Sequence, residues 1–148
     1  MYQQVPRDGL PQWKFTRDRQ HWVYAHAHDT SWPIKGCLSV SLAGPDSRLI
    51  SPSCFWQAAK APALYMDAAF KTAEKSGMVG CRSFHQAHFS LPSRVAFPII
   101  GDGRYHHYVI RLAGQKTYRG PMAQLRIDLP NAGRRGTWVK IRSIGFIQ

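Results

Sequence analysis

The chain has 148 residues, 44% of them hydrophobic and 12% aromatic, which suits one domain with a real core and is too short for two comfortable ones. Lys and Arg number 20 against 8 Asp and Glu, a net charge of +12; this favours polyanionic partners (nucleic acid, acidic polysaccharide or an acidic surface) and says nothing about fold. No apolar run approaches the ~20 residues of a membrane-spanning helix.

In chain order, residues 1–12 hold Pro6, Gly9 and Pro11 and read as an irregular arm. The N-terminal stretch lacks a charged segment followed by an apolar one, so no signal peptide is legible. The expectation is a cytoplasmic protein or a module of a larger exported chain, extracellular or at the cell surface. Trp13 and Phe15 alternate in a first strand. A turn at Arg17-Asp18-Arg19 leads to a short strand with Trp22 and Tyr24 on one face. Residues 26–36 are expected to be a loop. Leu38, Val40 and Leu42 alternate with Ser39 and Ser41, the pattern of a half-buried strand. Ala43-Gly44-Pro45-Asp46 ends it by turn chemistry.

A short extended piece precedes Pro52. Residues 58–75 are rich in Ala and Lys, which favours helix by propensity. Yet Leu64, Met66, Ala68 and Phe70 alternate with Tyr65, Asp67 and Lys71, and Pro62 blocks a longer helix. The alternation predicts a strand over 63–71, then a turn over 72–78 with Ser76-Gly77 at its tip. Further strands are expected at 79–86 and 94–100, the latter at an edge because of Pro98. The polar turn Gly101-Asp102-Gly103 runs into another. There His106, Tyr108, Ile110 and Leu112 face one way and His107, Val109 and Arg111 the other. After strand 122–128, residues 137–147 close the chain. Val139 and Ile141 share a face, then Ile144 and Phe146 do, a phase break near Arg142-Ser143 that predicts a β-bulge. About ten short strands at roughly ten-residue spacing argue for a single antiparallel β-sandwich or barrel.

The residues also resemble a known family. Trp13-x-Phe15, Trp22, Gly36-x-Leu38 and Gly44-x-Asp46 leading to Ser51-Pro52 are similar to the first half of galactose-binding-like jelly-roll domains. Asp102-Gly103 with Tyr105-His106-x-Tyr108, Gly120 with Leu125-Arg126-Ile127-Asp128, and Val139-x-Ile141 with Ile144 are similar to the second half. The resemblance spans roughly 13–147. It implies an all-β, antiparallel jelly-roll β-sandwich and a non-catalytic carbohydrate-binding module, of the type appended to bacterial glycoside hydrolases and polysaccharide lyases. Three departures stand out: Tyr118 replaces the usual Trp before the glycine, Leu129 separates Asp128 from Pro130, and Arg142 stands where the closing strand often has Asp. Many members hold a structural calcium on acidic residues near the termini. An Arg at that point, with so few carboxylates, argues against calcium here, since calcium takes several oxygen ligands.

The residues carry no reaction signature. Glycoside hydrolysis needs two carboxylates across a cleft, and most of Asp8, Asp18, Asp29, Asp46, Asp67, Glu74, Asp102 and Asp128 fall in predicted turns. His26-x-His28, and His85 with His88, lack a spaced acidic or Cys partner, so no metal site is expected. The cysteines Cys37, Cys54 and Cys81 are odd in number and contain no C-x-x-C pair. A zinc ribbon is excluded, and they are expected to behave as small buried hydrophobes without a disulfide.

Sugar binding requires a flat aromatic to stack on a pyranose and polar side chains to bond its hydroxyls. Trp13 and Trp22 are expected in the core. Trp32, Trp56 and Trp138 are the candidates for exposure. Tyr65, Arg82, His107, Arg111 and Arg126 alternate away from the inner positions. If their strands are neighbours, they make a shallow basic groove suited to an acidic glycan. The competing readings are a solvated sheet face on a purely structural accessory domain, and binding of single-stranded nucleic acid or another polyanion. No nucleic-acid motif supports the last.

Overall fold

The computed structural model describes residues 10–30, 33–42, 46–87, 89, 94–129 and 136–148. In chain order its strands are β1 (Gln12–Lys14), β2 (Val23–Ala25), β3 (His28–Asp29), β4 (Leu38–Ser41), β5 (Ser47–Ile50) and β6 (Trp56–Gln57). A 3-10 turn, Ala58–Lys60, leads to β7 (Ala63–Lys71), β8 (Ser76–Ser83), β9 (Arg94–Pro98), β10 (Asp102–Arg111), β11 (Pro121–Leu129) and β12 (Trp138–Ile147). They form two antiparallel sheets. A front sheet runs β10-β7-β12-β4-β3, with β1 beside β12. A back sheet runs β2-β5-β11-β8-β9, with β6 beside β11. From β4 onward the chain crosses repeatedly between the two, an antiparallel β-sandwich as the strand spacing predicts and of the jelly-roll type that the family resemblance implies.

The core is where the inward positions of both sheets meet. Leu64, Met66, Ala68 and Phe70 of β7 are buried, as are Val139, Ile141, Ile144 and Phe146 of β12 and Leu125, Ile127 and Leu129 of β11. The helix propensity of 58–75 loses to this alternation, because an extended β7 buries four apolar side chains on one side, each worth up to about 1.5–3 kcal/mol for the larger ones. At one end Trp13 and Trp22 pack edge to face with centroids 5.2 Å apart, and Phe15 meets Trp22 at 6.1 Å.

Two elements depart from the sequence expectation, β3 and the start of β8, while the edge at Pro98 and the break in β12 follow it. Residues 26–36 contain the two-residue β3, paired with β4 through His28↔Ser41 and Asp29↔Val40. Ser76 and Gly77 are not a turn tip but the start of β8. Gly77 is a packing glycine: a Cβ there would fall 2.9 Å from Cζ of Phe97. Pro98 ends β9 at the sheet edge, paired with Ser76, where its missing N–H leaves no ladder bond unmade. The phase break in β12 is a register shift between Ile141 and Ser143, and the Phe15 amide donates to the Arg142 carbonyl there at 3.0 Å.

The three cysteines are thiols, with Cys81 buried and Cys37 and Cys54 half-buried. Burial pushes the Cys54 thiol up to about 12 and the Cys81 thiol higher still. Because the thiolate is the reactive form, alkylation of the native protein at pH 8 is expected to modify Cys37 first. Rapid labelling of all three, read by mass spectrometry, would contradict this packing.

Candidate functional site

The outer face of the front sheet assembles from four rows of paired residues. The first is Val109, Tyr65, Gly145 and Gln12; the second is His107, Asp67, Ser143 and Lys14. The third is Tyr105, Ala69, Lys140 and Ser39; the fourth is Asp102, Lys71, Trp138 and Ser41. Lys71 and Tyr65 lie six residues apart on β7, so the rows span roughly 20 Å along the strands.

Tyr65 and His107 present near-parallel rings, 18° apart with centroids at 5.7 Å. Gly145 makes room for the tyrosine: a Cβ there would lie 2.6 Å from Cε1 of Tyr65 and 3.0 Å from Cγ of Gln12. Gly145→Ala is therefore expected to push the Tyr65 ring off the face, with an overpacking penalty of about 1–3 kcal/mol. Thermal unfolding together with ligand titration checks this, and an unchanged affinity would separate Tyr65 from binding.

Asp67 orients this corner. Its Oδ1 lies 2.6 Å from His107 Nδ1, and its Oδ2 accepts from the Ser143 hydroxyl at 3.0 Å. With Nδ1–H donating to the carboxylate, the imidazole's Nε2 is left toward solvent. At the other end Trp138 is half-buried, with its outer ring atoms within 3.8 Å of the position a Cβ of Gly103 would take. The indole therefore reaches from β12 across β7 to β10. The Lys140 ammonium lies 5.1 Å from the Trp138 ring. Between these ends the Arg142 guanidinium sits 3.6 Å from the centre of the Tyr105 ring. Burial, with the Cys37 thiol at its hydroxyl, pushes Tyr105 up to about 12.

Three of the sequence candidates, Tyr65, His107 and Trp138, thus share one face. Arg111 is on it too, exposed at the end of β10 opposite Ala63. The expected five-residue groove does not form. Arg82 and Arg126 belong to β8 and β11 of the back sheet, whose outer face points the opposite way. There Arg126 pairs with buried Asp128 through its NH2 group at 3.0 Å and is covered by the Phe89 ring at 4.5 Å. Arg82 braces a turn, with Nε donating to Gln124 at 3.3 Å and NH1 to the Gln86 carbonyl at 2.5 Å. It borders a cleft with Phe55 and Phe84. Trp56 corrects a second expectation. It is buried, packs on Phe146 at 4.6 Å and donates Nε1–H to the Tyr118 hydroxyl at 3.0 Å. Tyr118 in turn donates to the Ala61 carbonyl at 2.7 Å. An indole held by both packing and a buried hydrogen bond is core, whatever its distance from a strand in sequence. Trp32 lies outside the described residues, as does His88. Tyr105, Arg142, Asp67 and Ser143 join the face although none of them was a candidate site residue. The spacing Trp138-x-Lys140-x-Arg142 is the sequence signal that places these three side chains on one side of β12.

Among the described residues no group of three His, Cys, Asp or Glu is placed to hold a metal ion. Arg142, at the position where the resembling family often has Asp, lies over the Tyr105 ring. The carboxylates on or near the face are engaged: Asp67 as above, and Asp102 with the Arg104 amide at 2.9 Å and His106 at 3.0 Å. That amide, first among several contacts, holds the exposed Asp102 carboxyl below its ordinary range.

No protein-family model and no curated protein matches the sequence. Solved structures do match. A low-affinity xylan-binding module from Roseburia intestinalis superposes with a TM-score of 0.57 at 10% identity, over 93% of this chain and 94% of that one. The second N-terminal cellulose-binding domain of a Cellulomonas fimi β-1,4-glucanase gives 0.56 at 12% identity, over 94% and 92%. An adhesin domain of Lys-gingipain from Porphyromonas gingivalis gives 0.54 at 10%, over 93% and 97%. At such identities the likeness is one of fold: this chain has the antiparallel β-sandwich architecture found in carbohydrate-binding modules.

Proposed function

We propose that the protein is a non-catalytic polysaccharide-binding domain that takes its ligand on the outer face of the front sheet, with acidic chains favoured. The observation that carries this reading is the Tyr65–His107 pair set on Gly145, with Trp138 two rows away. Flat rings on a rigid sheet suit the apolar face of a pyranose, and Asp67, Ser143 and the neighbouring cations suit its hydroxyls. The fold shared with xylan- and cellulose-binding modules supports the reading. Lys14, Lys71, Lys140 and Arg142 pair with no carboxylate among the described residues, which favours an anionic chain. Such a role would place the protein outside the cell, where polysaccharides are met.

A glycan array read at physiological and at high salt tests this. Binding to one glycan class, weakened by salt for acidic members and barely for neutral ones, is the expected result. No glycan binding, with a steep salt-dependent affinity for single-stranded DNA, would overturn it in favour of nucleic-acid binding.

A further inference from the structure

We infer that Arg142 reads negative charge on the bound polysaccharide, taking a carboxylate or sulfate on the open edge of its guanidinium. The inference rests on the glycan-binding reading of the same face. It begins from a residue that the family resemblance marks as a departure.

The register shift in β12 turns two successive side chains, Arg142 and Ser143, toward the outer face. Ser143 is used at once, donating to Asp67 at 3.0 Å. Arg142 is exposed but not loose. Its carbonyl accepts the Phe15 amide at 3.0 Å, which anchors the bulge to the chain after β1. Its guanidinium carbon lies 3.6 Å from the Tyr105 ring centre, the close face-on approach that arginine makes with aromatics. Tyr105 can reach across from β10 because the intervening β7 position is Ala69, which is buried on the outer face although its side chain is only a methyl group. The Cys37 thiol contacts the Tyr105 hydroxyl and so fixes the far end of the ring.

A guanidinium stacked on a ring still presents its N–H edge, and that edge is the part that bonds carboxylate or sulfate oxygens in pairs. Among the described residues no acid takes it, since Asp67 is held by His107 and Ser143 and Asp102 by Arg104 and His106. Lys140 lies two positions back on the same face and Lys14 pairs with Ser143 across the β1–β12 ladder. An acidic group arriving here would meet two lysines and an arginine whose rotamer freedom is already spent, the arrangement that gives affinity without a large ordering penalty.

The test uses the full chain and paired probes that share a backbone: polygalacturonate against its methyl ester, and dextran sulfate against dextran. The wild-type protein is expected to bind the charged member of a pair more tightly. Arg142→Gln is expected to weaken that binding ~10-fold, the size of one lost charge-assisted hydrogen-bonded contact, and to leave the neutral member within about twofold. Arg142→Lys keeps the charge but loses the planar stack and the fork, and is expected to recover only part of the loss. Whether the polygalacturonate or the dextran sulfate pair shows the larger contrast assigns the group as carboxylate or sulfate. Equal affinity for charged and neutral members, or an Arg142→Gln loss shared equally by both, overturns the inference while leaving glycan binding intact. Binding to no glycan overturns the glycan reading with it, and a tighter complex with single-stranded DNA than with any acidic glycan assigns the face to nucleic acid.

Discussion

Asp128→Ala is expected to destabilise the protein by about 3–5 kcal/mol, the range for removing one partner of a buried ion cluster. Asp128 is on β11, at the centre of the outer face of the back sheet, and its side chain is only 3% exposed. Arg94 donates to it through NH1 at 2.9 Å, and Arg126 donates through NH2 at 3.0 Å. The Arg126 Nε also stands 2.7 Å from Oδ1, close in charge but poorly aimed as a hydrogen bond. The two arginines are themselves 16% and 13% exposed. Gly80, between them, keeps the cluster tight: a Cβ there would come within 3.4 Å of Arg94 and 3.5 Å of Phe89. Removing the carboxylate leaves two poorly hydrated cations side by side with no counter-charge, and their mutual repulsion adds to the lost bonds. Asp128→Asn keeps the shape and loses the charge, so it should fall between wild type and Asp128→Ala. Urea unfolding at constant m-value gives the comparison. A change below about 1 kcal/mol would mean that water, not Asp128, compensates the arginines. The same geometry predicts that Arg126 contributes to stability and not to ligand affinity.

Tyr65→Ala and Trp138→Ala are each expected to lower affinity for the bound polysaccharide by roughly 30-fold, about 2 kcal/mol, the scale for truncating an aromatic anchor. Both side chains are on the outer face and only half-buried, so the sandwich should remain folded. Trp56→Ala is the contrasting case. It removes a fully buried indole and its bond to Tyr118, so it should act on stability by about 3–5 kcal/mol rather than on binding at a ligand face. Isothermal titration with a polysaccharide identified on the array, beside thermal unfolding of each variant, separates the two behaviours. Full affinity in Tyr65→Ala and Trp138→Ala together would remove the front face from consideration. Attention would then pass to the cleft bordered by Phe55 and Phe84, whose exposed rings meet at 5.9 Å on the back sheet.

The alternation of apolar and polar positions determined by itself that β7, β10, β11 and β12 are strands, which of their faces point inward, and that β12 breaks phase at Arg142-Ser143. Period-two patterning states a local fact about each strand, and burying one face leaves little freedom to contradict it. What the sequence left open is which strands become neighbours and which outer faces look the same way. Tyr65, His107 and Arg111 alternate outward just as Arg82 and Arg126 do, but sheet membership divides them between opposite sides of the sandwich. Trp56 likewise borders a loop in sequence, and only the meeting of β6 with Phe146 and Tyr118 makes it core. Long-range pairing, through β10-β7-β12 on one side and β5-β11-β8 on the other, decided both, because the partners that bury or expose a side chain are far from it along the chain.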